Sequence, residues 1–275
     1  MKRVQSPSSI NTYFQCPRRY YFIYNLKMRT SPSIHLVRGS ITHKILEDFF
    51  KIDPSAIENN YRENMQIIVL DMLKKYWANS SSQLAMLNMK DEEIDAFYNE
   101  TQMMLINWLN QFTNKIDDKI AQGSNFVESF NNFKPKTEIQ YTDQELMVRG
   151  FIDAIEECDG EIRLMDYKTS KNAHISDEYR TQLAIYALLY EKRHGVRPHK
   201  VGIYFLKDTE HLLDVDDELI KHGQFMIEQI HACTDEIDHI SDYPKKESGL
   251  CKWHSGQCDF YDHCFNGKKI PENSS

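Results

Sequence analysis

The sequence predicts an α/β fold with a long helical region placed ahead of the strands. Three observations predict it. Residues 149–171, RGFIDAIEECDGEIRLMDYKTSK, have apolar residues on either side of Asp159-Gly160, the dipeptide of a tight hairpin turn. Residues 201–206 alternate like a strand and lie between helical patterns at 177–193 and 216–237. Between Pro54 and about Ala121 neither proline nor glycine interrupts an i, i+3, i+4 apolar spacing.

In order along the chain, Ser6 offers a helix N-cap and Pro7 an early helical position, and Ile10, Tyr13, Phe14, Tyr20, Tyr21 and Phe22 supply a packed face. Cys16 lies within this segment. Residues 36–51 predict a second helix, with Ile41, Ile45, Leu46, Phe49 and Phe50 on its buried side and His43 near its start. Helices follow at 61–77 and 91–120, and 123–135 reads as a linker. Residues 136–148 then read as two strands around Thr142-Asp143, with Glu138 early in the first. Glu138 would be either a further acidic contributor or an exposed strand-end residue. After the hairpin comes a polar loop at 171–176, then the helix carrying Gln182 and Tyr186, which share a face at i, i+4.

The chain of 275 residues, 41% hydrophobic, is long enough for one large α/β domain or a core with a helical insertion. Its formal net charge of −8 argues against a protein that coats nucleic acid nonspecifically, while leaving room for a local basic groove. No apolar run approaches the roughly 20 residues of a membrane span, and no signal-type segment opens the chain. A soluble, cytoplasmic protein is expected. Six cysteines in that setting are read for metal before disulfides.

The hairpin holds the first chemical signal. Asp166 and Lys168 are two apart on one strand and project to the same side, and the antiparallel partner can bring Asp153 alongside. Two carboxylates and an ammonium then share one patch. Mg²⁺ or Mn²⁺ is held by such carboxylates together with waters and phosphate oxygens, and a neighbouring lysine can orient the attacking water. Taken alone, the same residues would also suit a solvated charged face.

The second signal is at the C-terminus, where Cys251, Cys258 and Cys264 occur within fourteen residues, interleaved with Trp253, Phe260 and Tyr261. Three thiolates leave a tetrahedral or cubane site one ligand short, and Cys16 is the natural fourth. Zinc suits four cysteines equally by charge, although the C-x2-C pair usual in zinc ribbons is absent. Cys158 and Cys233 look like spectators.

Taken together, these pieces resemble the PD-(D/E)XK nuclease superfamily, in particular its RecB-like and Cas4-like branch with an iron–sulfur cluster, which includes the AddB nuclease domain. The resemblance rests on an ordered set spanning nearly the whole chain: SPSSINTYFQCPRRYYF, RGSITHKILE, GFIDAIEE, MDYKTSK, QLAIYALLY and the terminal cysteines. One departure stands out, since Cys251 and Cys258 have six residues between them where the family often has two.

The resemblance implies a restriction-endonuclease-like core, a mixed sheet flanked by helices, with an N-terminal helical insertion and a C-terminal Cys-rich segment. It divides the chain into 1–35 with the first cluster cysteine, a helical region at 36–122, the nuclease core at 123–240, and a cluster-binding segment at 241–275 that packs against 1–35. His43, Asp153, Asp166 and the Tyr167 carbonyl would hold Mg²⁺ or Mn²⁺. Lys168 would activate water, and Gln182 and Tyr186 would support the site or position the strand. Cys16, Cys251, Cys258 and Cys264 would bind a structural [4Fe-4S] cluster.

The implied activity is metal-dependent exonucleolytic cleavage of single-stranded DNA or DNA ends. Arg18, Arg19, Arg149, Lys171 and Arg180 are candidates for phosphate contacts. No G-x-x-x-x-G-K-[ST] motif occurs, so a helicase, or a CRISPR-adaptation protein, would be a separate partner. The alternative from a different class is an iron–sulfur DNA-binding or redox-responsive module with little or no turnover.

Overall fold

The computed structural model describes residues 3–171, 173–237, 239–254 and 256–270. Five strands form the central sheet in sequence order: β1 (Lys136–Asp143), β2 (Val148–Cys158), β3 (Glu161–Lys168), β4 (Lys200–Phe205) and β5 (Glu210–Asp214). Only β3 and β4 run parallel, so the sheet is mixed. The β2–β3 turn forms where Asp159-Gly160 requires it. Both residues have positive φ, 51° and 84°, as a two-residue hairpin needs to match the twist of its strands.

Helices cover both faces. They are α1 (Pro7–Gln15), α2 (Pro17–Tyr20), α3 (Ile34–Phe49), α4 (Tyr61–Asn79), α5 (Ser81–Ala85), α6 (Asp91–Ala121), α7 (Phe126–Phe133), α8 (Asp177–His194), α9 (Asp217–Thr234) and α10 (Tyr261–Phe265). On one face Leu183, Ile185 and Leu189 of α8 and Ile227 and Ile230 of α9 bury Ile152, Leu164, Val201 and Ile203. On the other, the helices α3 to α7 pack their apolar sides onto Ala154, Met165, Tyr167 and Tyr204. The long helical stretch is therefore the second cover of the sheet, and it delivers α3 to the sheet's surface.

Local sequence explains the helix ends. Ser6 accepts from the Ser9 amide while the Ser9 hydroxyl accepts from the Ser6 amide, a capping box that starts α1. Asp216 and Ser176 cap α9 and α8 in the same sense, and Gly195, at φ 67°, ends α8.

Two expectations need correction. The stretch 123–135 is not a plain linker, because it contains α7. The Asn125 side chain accepts from the Glu128 amide, and Phe126 and Phe130, one turn apart, enter the aromatic cluster around Phe49 and Phe112. The turn expected at Thr142-Asp143 falls one step later, at residues 144–147. There Asp143 Oδ1 accepts from the amides of Glu145 and Leu146, so the aspartate caps the turn from the strand end.

The two ends of the chain meet. Tyr243 stacks on Tyr20 at 6.1 Å between ring centroids, Phe260 lies 4.9 Å from Phe22, and Arg18 donates through Nε to the Tyr243 carbonyl at 2.6 Å. The C-terminal segment forms a small hairpin, β6 (Lys252–Trp253) with β7 (Gly256–Gln257), followed by α10. Among the described residues, no helix is long and apolar enough to cross a membrane.

Candidate active site

The site forms where β2 parts from β3. Their backbone pairing runs from Cys158↔Glu161 to Ala154↔Met165. One step further, the Asp153 side chain takes over: its Oδ2 accepts from the Tyr167 amide at 2.8 Å. The inward pattern of β2 changes at this point, with Ile152 to Ile155 buried in succession where alternation would expose every second residue. Asp153 thus becomes 8% exposed and Asp166 2%. A carboxylate so placed needs a proton, a donor or a cation.

Each neighbour supplies part of that need. His43, projecting from α3, places Nδ1 3.3 Å from Asp153 Oδ2 and 4.0 Å from Glu138 Oε1. His43, Glu138 and Asp153 offer ligand atoms that all lie within 4.8 Å of one another. Asp166 stands beside this trio. Its Oδ1 accepts from Gln182 Nε2 at 2.6 Å, and the same amide group donates to the Tyr186 hydroxyl at 2.7 Å. Lys168 Nζ lies 2.5 Å from the buried Asp166 Oδ2 as an ion pair.

The electrostatics reflect crowding of charge in a dry place. Burial pushes the Asp166 carboxyl up to about 6, with Lys168 opposing the rise and Asp153 adding to it. Burial pulls on His43 in the opposite sense, but the hydrogen bond and charge of Asp153, helped by Asp166, carry it up to about 9. Lys168 is likewise depressed by burial and raised by Asp166, with a net rise. Glu138 is raised, first by burial and then by the Asp153 charge. His43 and Lys168 are therefore the cations of the metal-free site, held against a surplus of carboxylate.

This donor set fits a hard divalent cation. Two carboxylates and one imidazole, from Glu138, Asp153 and His43, converge, and a third carboxylate, Asp166, stands buried beside them. A bound cation would displace the His43 proton and relieve the repulsion among the acids.

The structure brings together His43, Asp153, Asp166, Lys168, Gln182 and Tyr186 from four elements, α3, β2, β3 and α8, with the Tyr167 backbone alongside. Glu138, which the sequence left between two readings, joins the donor group. The pairs Thr137↔Ala154 and Ile139↔Ile152 set it across from Asp153, and its φ of 52° is left-handed for a residue within a strand. Such a conformation costs about 1–2 kcal/mol for a residue with a side chain and is typical of functional sites. Gly150 was not singled out by the sequence reading. A Cβ there would sit 2.9 Å from Tyr186 Cε1, so the glycine lets the tyrosine ring reach beneath the site.

The cysteines are less converged. Cys16 occupies the junction between α1 and α2, and Cys258 and Cys264 pack against the adjoining core. Burial raises both of these thiols, and Cys16 adds a small further rise to each, which makes the three electrostatic neighbours. The Cys258 amide donates to the Cys251 carbonyl at 2.9 Å, while Cys251 Sγ points to the Lys246 carbonyl at 3.7 Å. Among the described residues, the thiols form no donor group as tight as the one at His43.

Of the five basic residues considered for phosphate, Arg18 is committed to Tyr243 and Arg180 lies 3.8 Å from Glu218. Arg149 and Lys171 are exposed, and Arg19 Nε is buried with no hydrogen-bond partner.

Acidic residues able to hold a metal on the inner strands of the sheet, with an ammonium held two residues past an aspartate, form the arrangement of a phosphodiester-cleaving enzyme. Residues 5–265 match the model of the PD-(D/E)XK nuclease superfamily, and the chain belongs to that superfamily. It is similar to the Gene 69 protein of Mycobacterium phage D29, with 27% identity over 225 residues, 74% of each chain. The Gene 69 protein of Mycobacterium phage L5 is 24% identical over 228 residues, 74% of this chain and 76% of that one. The fold is similar to a crystal structure named "Putative exonuclease" from Eubacterium rectale. The TM-score is 0.50 at 11% identity, covering 98% of this chain and 90% of that one.

Proposed function

We propose that the protein is a divalent-metal-dependent DNA exonuclease of the RecB-like and Cas4-like branch, acting on single strands or ends. The observation that carries this reading is the His43–Glu138–Asp153 donor group beside the buried Asp166–Lys168 pair. His43, Asp153, Asp166, Glu138 and the Tyr167 carbonyl would hold Mg²⁺ or Mn²⁺. When bound, the metal would polarise the scissile phosphate and make its water a nucleophile at neutral pH.

The chain's own residues have separate tasks. Asp153, fixed by the Tyr167 amide, and Asp166, fixed by Gln182, present their carboxylates without needing to move. Lys168 remains an ammonium at neutral pH because Asp166 outweighs its desolvation. It therefore acts as a cation that orients water and offsets developing phosphate charge, rather than as a free base. Tyr186, bonded to Gln182 and packed on Gly150, holds Gln182 in line with Asp166. Water attacks phosphorus, the P–O ester bond breaks, and the leaving oxygen takes a proton, with no covalent intermediate.

Lys168→Met tests this reading. Cleavage of labelled single-stranded DNA should fall about 10²–10⁴-fold while DNA binding persists. Unchanged cleavage by the purified variant would refute it.

We further propose that Cys16, Cys251, Cys258 and Cys264 bind a [4Fe-4S] cluster joining the 1–35 and 241–275 segments. The electrostatic proximity of three of the thiols and the aromatic contacts between the two segments support it.

A further inference from the structure

A cavity of about 480 Å³ opens beside the active site, between α3, α6 and the loop after β3. Lys168 lines it and is shared with the Asp166 pair. Its other charged walls are Arg38, Lys171 and Lys207, faced by one acid, Glu100. With Lys168 held by Asp166, three further cations against one carboxylate form a local positive basin in a chain whose formal net charge is −8.

Arg38 shows that the basin is built rather than incidental. It is 3% exposed on α3, yet its donor fork is only partly used. Nη1 pairs with Glu100, Nη2 donates to the Thr169 carbonyl at 3.0 Å and lies 3.4 Å from His35 Nδ1, and Nε has no hydrogen-bond partner. Glu100 must also serve Lys207, so one carboxylate is divided between two cations. Burying a guanidinium with an unused donor is costly unless an anion completes the set. Two aromatic rings flank the cations: Phe97 lies 5.2 Å from the Arg38 guanidinium carbon, and Tyr179 lies 5.3 Å from Lys168 Nζ. Cations interleaved with aromatic faces suit a nucleotide's phosphate and base together.

Lys168 ties the cavity to the active site, since it lines the one and pairs with Asp166 of the other, so the two adjoin directly. We propose that this cavity is a phosphate subsite, holding a phosphate that neighbours the bond being cleaved through Arg38, Lys171 and Lys207. The inference rests on the nuclease reading and deepens it. The phosphate is either an internal diester or a terminal monoester, and both present the same oxygens to the basin.

Lys207→Gln and Lys171→Gln are the test variants, because Lys171 is exposed, Lys207 is partly exposed, and Arg38 keeps Glu100 in either one. Thermal melts establish that each variant is folded. Binding to fluorescent single-stranded DNA is measured in EDTA across a salt series, using strands with hydroxyl ends, a 5′-phosphate or a 3′-phosphate.

Each substitution should weaken binding roughly tenfold, as loss of a charged hydrogen bond does. Each should also reduce the slope of log K against log salt by about 0.7, the value for one phosphate on a single strand. A loss confined to one phosphorylated end identifies a terminal phosphate, and an equal loss on every strand identifies an internal one. Affinities within about twofold of the parent chain with an unchanged salt slope would overturn the subsite while leaving the nuclease reading intact. Pocket-dependent binding by a chain that never cuts with metal would overturn the nuclease reading instead. A chain that binds no strand overturns both.

Discussion

Replacing Asp166 with asparagine should stabilise the metal-free protein while abolishing cleavage. The carboxyl is 2% exposed, and burial raises it from 3.8 to about 6 even with Lys168 beside it. At pH 7 the folded state therefore holds this charge at a cost of about 3 kcal/mol relative to the unfolded chain. Asparagine keeps the shape, can still accept from Gln182 and carries no charge to desolvate, and the gain is what remains after the buried Lys168 ammonium loses the carboxylate that holds it.

The sign follows from proton binding. Between pH 3.8 and about 6 the folded wild type holds the extra proton, so its stability falls as pH rises through that window. The advantage of Asp166→Asn should be absent below pH 3.8, grow up to about pH 6 and level off above it. In EDTA at pH 7 the melting temperature should rise by up to about 5–10 °C, given the size of the chain. Mn²⁺ should stabilise the wild type and leave the variant largely unaffected. Differential scanning calorimetry at several pH values, with and without Mn²⁺, is the assay. A variant several kcal/mol less stable than the parent in EDTA at pH 7 would refute the argument. Asp166–Lys168 would then be a net stabilising pair rather than a strained functional one.

Other predictions follow from the same geometry. Glu138→Gly and Glu138→Ala should both weaken Mn²⁺ binding by at least about tenfold in a calorimetric titration. The glycine variant should be the more stable of the two by about 1 kcal/mol, because it adopts φ 52° freely. Equal metal affinity in the parent and both variants would remove Glu138 from the donor group. Gly150→Ala should cost about 1–3 kcal/mol in urea unfolding by pushing on the Tyr186 ring, and should reduce cleavage through Gln182. A variant with unaltered stability and rate would show that the contact is slack. Anaerobically purified wild type should absorb visible light, and Cys258→Ser should lose both the absorption and thermal stability. A colourless, equally stable wild type would contradict the cluster.

Much of the site was legible in the sequence because it follows strand arithmetic. Asp166 and Lys168 two apart, with Asp153 across a turn marked by Asp159-Gly160, need only alternation and register to meet. Gln182 and Tyr186 needed only helix spacing to share a face, but the carboxylate that face meets depends on how α8 docks on the sheet. His43 is less accessible to such arithmetic. It reaches Asp153 because a whole helical layer packs on the sheet, and resemblance, rather than periodicity, pointed to it.

Glu138 carried no local sign of its role. Left-handed backbone is normally announced by glycine or asparagine, and here a glutamate occupies it opposite Asp153. The helix Phe126–Phe133 did carry signals, an asparagine cap and two phenylalanines one turn apart. They were masked by Gly123 and Pro135 on either side and by the shortness of the element. The pocket around Arg38 and Lys207 unites residues 169 positions apart in sequence, through Glu100 on a third element, and no local pattern encodes that meeting.

The central claim is that Asp153, Asp166 and Lys168 cleave phosphodiesters with a divalent metal held by His43 and its neighbours. Its most direct test is an assay on end-labelled single-stranded DNA with purified wild type and Asp166→Asn in parallel, in Mn²⁺, in Mg²⁺ and in EDTA. The account predicts progressive shortening from an end by the wild type in metal alone, and none by the variant under any condition. Cleavage by the wild type in EDTA, or equal cleavage by Asp166→Asn in metal, would contradict it.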